Sequence, residues 1–201
     1  MSKMSKKKVI GITGSMGSGK SEISRYLRNK YPVLDCDQVN ADLLKKGNLG
    51  YEKLKKMNIV ELDSNGQIIK ESLASYMFSN EKHRKQVEAI LHPLIFDEMH
   101  KWIHQQESSI VFVEMPILFE ISAQEHFDSI WCVVADLDVA LSRLQTYRNF
   151  TREQALARLV SQMNPEEKMA KSDIVLRNNS TVEQLHMQIE DALKEEKLNG
   201  D

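Results

Sequence analysis

Eight residues constrain the fold of this chain more than any others: Gly14-Ser15-Met16-Gly17-Ser18-Gly19-Lys20-Ser21, which satisfies G-x-x-x-x-G-K-[ST]. A short apolar run from Lys8 to Thr13 precedes the motif, and a helical pattern from Lys20 to Asn29 follows it. A chain built this way turns sharply from strand to helix. Its glycines let successive backbone N–H groups converge on an anion while the new helix aims its positive end at the same point. In such a loop the lysine neutralises β- and γ-phosphate charge and the last hydroxyl ligates Mg²⁺, roles that fall to Lys20 and Ser21. With glycine at about 7% of residues, the bare pattern arises by chance in about one chain of this length in a hundred. Its strand and helix setting lowers that further, so the loop points to a nucleoside triphosphate.

The remaining strand candidates are Pro32 to Cys36, Ser109 to Met115, Ser129 to Ala135 and Asp173 to Leu176. Their near-continuous apolar character suits strands covered on both faces. The expected fold is α/β: a P-loop NTPase-like three-layer sandwich around a mostly parallel five-stranded sheet. Between the second and third strands, Ala41, Leu44 and the Tyr51 to Met57 stretch read as helical, and Asp63-Ser64-Asn65-Gly66 reads as a turn. Apolar positions recur at helical spacing from Glu71 to Glu107, with Pro93 marking a kink or a break. So long an interval without a strand predicts a helical insertion at about 38–107, set into a core at about 8–36, 109–142 and 172–197. The last third reads as helices over Leu137 to Arg148, Thr151 to Met163 and Thr181 to Lys197, with a break at Asn164-Pro165. Thr151 with Gln154 and Thr181 with Gln184 are helix-start signals. The segment 143–170 carries Arg143, Arg148, Arg152 and Arg158 and reads as a lid, since a kinase needs mobile cations that stabilise the transferring phosphoryl group and exclude water.

Composition narrows the setting. The 201 residues carry 27 basic and 29 acidic side chains, a net charge of −2, which suits a single soluble domain and argues against a nucleic-acid-coating role. Cys36 and Cys132 are far apart in sequence, as in a reduced, cytoplasmic protein. No apolar run approaches the roughly 20 residues that span a bilayer. The basic start, Lys3 with Lys6 to Lys8, reads as a frayed, solubilising terminus.

Carboxylates mark the ends of two strands. Leu34-Asp35-Cys36-Asp37 places two acids at the carboxyl edge of the sheet, where open α/β sheets bind ligands. Either could accept a proton from a substrate hydroxyl, and Asp37 could instead cap the helical stretch after it. Val113-Glu114-Met115-Pro116 closes the third strand on an acid that either orders Mg²⁺ through water or is simply solvated. His100 and His104, four apart, lack an evident third zinc ligand, and His92 reads as a capping or packing residue on composition alone. Asp63 to Gly66 fits a loose D-x-x-G, but Pro32 stands where a guanine-reading N-K-x-D motif begun at Asn29-Lys30 would need aspartate. A nucleoside or nucleotide kinase and a nucleotide-dependent switch are the readings that compete with the one below.

Taken together, these segments resemble the dephospho-coenzyme A kinase family. The likeness runs from Ile10-Gly11-Ile12-Thr13-Gly14 and the phosphate loop to Leu34-Asp35-Cys36-Asp37, similar to the family's D-A-D segment. It continues through Leu91-His92-Pro93-Leu94-Ile95, then Pro116-Ile117-Leu118-Phe119-Glu120, and a closing block from Thr151 through Ala155, Arg158 and Gln162 to Glu167-Lys168, Asp173 and Asn178. The resemblance implies transfer of the ATP γ-phosphoryl group to the ribose 3′-hydroxyl of dephospho-coenzyme A, with Mg²⁺ as cofactor. It implies that Asp37 is the general base, that His92 helps hold the acceptor within the insertion, that Asn178 lies near the adenine, and that Asp35, Pro116, Leu118 and Glu120 belong to the acceptor site. Arg143 falls where the family's lid has its first arginine. The family often has a second one four residues later, where this chain has Tyr147, with Arg148 one step on. Cys36 replaces a small alanine, and Glu71 stands near a place where the family frequently has a basic residue.

Overall fold

In the computed structural model, which describes residues 7–198, the apolar run before the phosphate loop becomes the middle strand of a five-stranded sheet. The strands are β1 (Lys8–Gly14), β2 (Val33–Asp35), β3 (Ile110–Glu114), β4 (Ser129–Val134) and β5 (Ile174–Arg177), in the order β2-β3-β1-β4-β5. The ladders of β1 with β3, β1 with β4 and β4 with β5 are parallel, as expected of a mostly parallel sheet. Ile12 lies opposite Glu114 and Gly14 opposite Val133, which brings the carboxyl ends of the three central strands beside the loop.

Nine helices connect these strands among the described residues: α1 (Lys20–Leu27), α2 (Cys36–Leu43), α3 (Leu49–Lys56), α4 (Lys70–Ser79), α5 (Glu81–Gln105), α6 (Leu137–Arg148), α7 (Arg152–Val160), α8 (Pro165–Ala170) and α9 (Val182–Leu198). Ile10, Ile12, Phe112 and Trp131 pack with Ile23 and Leu27 of α1 and with Leu185 and Ile189 of α9. Val111, Val113 and Cys132, which alternate with these residues and so point to the other face, are equally buried. Each such side chain contributes about 1.5–3 kcal/mol of apolar burial, which explains why the strands read as unbroken apolar runs.

A buried carboxylate ties the last helix to this core. Glu196 of α9 accepts hydrogen bonds from Ser129 Oγ and, at 2.8 Å, from Trp131 Nε1, and pairs with Lys8 Nζ at 2.7 Å. Burial works against its charge, but Lys8, Ser129 and Trp131 outweigh burial and hold its carboxyl below the usual range. Lys8 is therefore anchored, and Lys7 donates to the Gln106 carbonyl, so these two do not belong to a frayed terminus. Lys3 and Lys6 lie outside the described residues. At the far edge of the sheet the Gln188 side chain accepts from the Arg177 N–H and donates to the Arg177 C=O, both at 2.9 Å.

The chain divides into two compact units, one of residues 35–105 and the other of the rest. Within unit 35–105, Tyr51, Leu54, Leu73, Val87 and Leu91 form the core. The expected turn is present: Asp63 Oδ1 accepts from the Asn65 and Gln67 N–H groups at 2.8 Å, and Leu62 bridges to Ile68. The helical stretch from residue 71 does split in two, but at Asn80 rather than at Pro93. Asn80 has extended backbone and its side-chain oxygen accepts from the His83 N–H at 2.9 Å, a local cap that starts the new helix. α5 then runs through Pro93. No described helix is long and apolar enough to cross a membrane.

Candidate active site

The phosphate loop is shaped by close backbone approach. At Gly14, with φ 148°, a β-carbon would stand 2.2 Å from the Val133 carbonyl oxygen, so strand β4 leaves no room for a side chain. Gly19, with φ 98°, ends the loop in the left-handed region that favours glycine, directly before α1. Lys20 Nζ donates to the Gly14 and Ser15 carbonyls at 2.8 and 3.0 Å, which places its ammonium over the loop. Ser21 is the second residue of α1, where N–H groups have no helical partner.

Two residues from the last third of the chain hold the loop from outside. Asn178, buried just after β5, donates from Nδ2 to the Ser18 carbonyl at 2.9 Å and accepts at Oδ1 from Arg143 Nη2 at 3.1 Å. Arg143 Nη1 also lies 3.5 and 3.4 Å from the Gly17 and Ser18 carbonyls. The four arginines of the 143–170 segment thus divide. Arg143 is on the loop, Arg152 pairs with Asp138 at 3.6 Å, the Arg158 guanidinium lies 4.6 Å over the Phe150 ring, and Arg148 is exposed at the end of α6. Gln162, between α7 and α8, accepts from the Met16 N–H at 2.9 Å. A cleft of about 410 Å³ opens beside the loop, walled by Ser15, Met16, Ala140, Leu156, Leu159 and Gln162 among others.

Glu114 is buried, not solvated, and its Oε2 accepts from Ser24 Oγ at 2.6 Å. Ser24 lies three residues after Ser21 on α1, a spacing that puts both on one helix face. The carboxylate therefore reaches the face that carries the Ser21 hydroxyl. The turn after β3 is devoted to Lys168, whose side chain is fully buried. Its Nζ pairs with Glu120 Oε1 at 2.7 Å and donates to the Pro116 carbonyl at 2.9 Å, which also accepts from Thr13 Oγ1 at 3.1 Å. Leu118, expected in the acceptor site, is fully buried, and its side chain stands 2.8 Å from where a β-carbon on Gly11 would be. It is a core residue.

In unit 35–105 the helix cap falls on Asp35 instead of Asp37. Asp35 Oδ1 accepts from the Asp37 N–H at 2.9 Å and the Gln38 N–H at 3.3 Å, and leaves the Asp37 side chain exposed in the first turn of α2. His92 is half-buried, and burial pushes its imidazole pKa down against the opposing pull of Glu88, so it is neutral at neutral pH. Among the described residues no three His, Cys, Asp or Glu side chains gather where they could hold a metal ion.

The dephospho-CoA kinase family model matches residues 8–184. The chain belongs to that family. Dephospho-CoA kinase of Streptococcus pyogenes is 35% identical over 190 residues, 92% of this chain and 96% of the relative, and that of Fusobacterium nucleatum is 31% identical over 183 residues, 90% and 95%. Among solved structures, TT1252 from Thermus thermophilus superposes with a TM-score of 0.83 at 31% identity, covering 94% of this chain and 98% of that one. Shikimate kinase from Bacteroides thetaiotaomicron, at 12% identity over 94% of this chain and 98% of its own, shares the fold with a TM-score of 0.52.

Membership of the dephospho-CoA kinase family makes the chain a kinase and accounts for the loop. Three features of this site had no separate signal in the sequence. Gln162 and Lys168 figure there only as letters of the closing block, and Ser24 not at all. A glutamine facing a backbone N–H and a lysine buried at the foot of a loop have no motif of their own, because their partners lie 146 and 52 residues away.

Proposed function

We propose that this chain phosphorylates the ribose 3′-hydroxyl of dephospho-coenzyme A with ATP, giving coenzyme A and ADP. One observation supports this above the others: a phosphate loop with Lys20 over it, gripped by Arg143 and Asn178, in a chain matched almost end to end by this family. The phosphate loop Gly14-Ser15-Met16-Gly17-Ser18-Gly19-Lys20-Ser21 binds the phosphates through Lys20 and its remaining N–H groups, while the Met16 and Ser18 N–H groups shape the loop. Asn178 lies near the adenine, and Arg143, the lid residue that already meets the loop, neutralises charge on the transferring group, with Arg148 as a second cation. Asp37 takes the proton from the 3′-hydroxyl as the oxygen bonds to the γ-phosphorus and ADP leaves. Asp35 orients the turn that presents Asp37. His92, kept neutral by burial, gives the acceptor a hydrogen bond and no charge. Pro116 and Glu120 support the site through Lys168.

The donor set fits Mg²⁺, which takes hard oxygen ligands and keeps several waters. The Ser21 hydroxyl would bind it directly, and Glu114, held by Ser24 against the same helix face, would bind through water. When bound, Mg²⁺ supplies charge neutralisation at the β- and γ-phosphates. The reaction belongs in the cytoplasm, in keeping with two buried cysteines that form no disulfide, and needs neither membrane nor nucleic acid. The test is incubation with Mg²⁺ and ATP and a panel of dephospho-coenzyme A, nucleosides and nucleoside monophosphates. Coenzyme A and ADP are expected. No coenzyme A above a no-enzyme control overturns the proposal, and a phosphorylated nucleoside or nucleotide instead makes the chain a kinase of that class.

A further inference from the structure

Met16 sits at the apex of the phosphate loop and is held on two sides by one stretch of chain. Its side chain packs against the cluster of Leu141, Leu144 and Ala155 with Leu156 and Leu159, all on α6 and α7. Its N–H donates to Gln162 Oε1 at 2.9 Å. The next residues toward the chain terminus fix Gln162 in turn. Met163 N–H donates to Glu120 Oε1 at 3.3 Å, the same oxygen that pairs with the fully buried Lys168, and Asn164 caps α8 through the Glu166 N–H at 2.9 Å. The link between α7 and α8 is thereby tied to the exit of β3 immediately after the side chain that grips the loop.

An anion cradle works only if the right amides face inward. Of the loop N–H groups, that of Ser18 is used within the loop, donating to the Ser15 carbonyl at 3.3 Å, and that of Met16 is turned outward to Gln162. A peptide plane fixed by an external acceptor cannot rotate, so this bond also fixes the carbonyl of Ser15, one of the two on which Lys20 rests. Without the acceptor, the Ser15–Met16 peptide would be held only at its carbonyl, by the Ser18 N–H and Lys20 Nζ, and the Lys20 ammonium would rest on a less firmly fixed support.

We propose that Gln162 is a positioning residue for nucleotide binding: through its bond to Met16 it sets the orientation of the loop apex, and the Glu120–Lys168 pair anchors it there. The inference rests on the nucleotide-binding half of the function proposed above. Gln162 touches no phosphate itself in this scheme and acts through the Ser15–Met16 peptide.

The test is calorimetric titration of the full chain with ADP in the presence of Mg²⁺, for the unaltered protein, Gln162→Ala and Gln162→Met. Methionine keeps the volume and removes the acceptor. Both variants should bind ADP about 3- to 10-fold more weakly, the span of one lost hydrogen bond, with thermal midpoints close to that of the unaltered chain. ADP affinity unchanged in Gln162→Met, or a lowered thermal midpoint with unchanged ADP affinity in the folded fraction, overturns the proposal. ADP binding does not involve the acceptor, so a failure to form coenzyme A would bear on the proposed reaction and not on Gln162.

Discussion

Asn178 and Gly19 meet so closely that the Asn178 amide nitrogen stands 2.0 Å from the place a β-carbon on residue 19 would take. The glycine of the motif is thus required from two directions, by its own left-handed backbone and by a side chain 159 positions later that also holds the Ser18 carbonyl. Gly19→Ala should weaken ATP binding about 5- to 150-fold, from overpacking of roughly 1–3 kcal/mol. Introduced into Asn178→Ala, the same Gly19→Ala change should cost less than it does in the unaltered protein, because the clash goes while the backbone strain stays. An equal cost in the two backgrounds, measured by titration, would show that the side chain exerts no pressure on the loop.

The two acids of Asp35-Cys36-Asp37 should separate by what they damage. Asp37→Asn is expected to lower turnover by about 10²- to 10⁴-fold, the usual worth of a general base, with ATP affinity little changed. Asp35→Ala should instead cost about 1 kcal/mol of stability through the lost helix cap. Steady-state kinetics and urea unfolding on both variants check the contrast, and an Asp37→Asn enzyme with full turnover would remove Asp37 from the mechanism.

Lys168→Met should destabilise the fold by roughly 2–4 kcal/mol, somewhat less than the full cost of breaking a buried pair because Glu120 is partly exposed. Urea unfolding midpoints measure it. The same variant should weaken ADP binding, since Glu120 then has no cation and the link that carries Gln162 is held less firmly.

Stability should fall on the acid side in a way that traces to Glu196. Its folded pKa lies below the ordinary value of 4.5, so the unfolded chain binds the proton more tightly. The contribution is fully present above pH 4.5 and is lost as pH falls through the depressed folded value. Unfolding free energies measured from pH 7 down to pH 3 should decline less steeply in Glu196→Gln than in the unaltered protein. Parallel declines would mean that other carboxylates govern acid unfolding.

What the sequence shows most clearly is whatever depends on neighbours in the chain. The phosphate loop, the three central strands buried on both faces, the Asp63 turn and the Thr151–Gln154 capping box, in which each side chain satisfies a backbone N–H, all arise from residues close together. Two features stay open in the sequence because local signals compete. Proline is the stronger breaker on paper, yet α5 passes through Pro93 while Asn80, with a ready side-chain acceptor, separates the helices. Either acid of Asp35-Cys36-Asp37 can cap a helix, and the extended backbone at residue 35 decides between them. The Arg143–Asn178 grip, the outward turn of Met16 and the burial of Lys168 depend on contacts across 35 to 146 residues, which no spacing rule reaches.

The Gln188 amide occupies both hydrogen-bonding groups of Arg177 on the outermost strand. In effect one side chain serves as a single rung of a missing neighbour. A foreign strand approaching that margin would have to displace it before pairing could pass that residue. An open parallel sheet of this kind is a natural template for unwanted strand addition, and here the final helix carries the stopper.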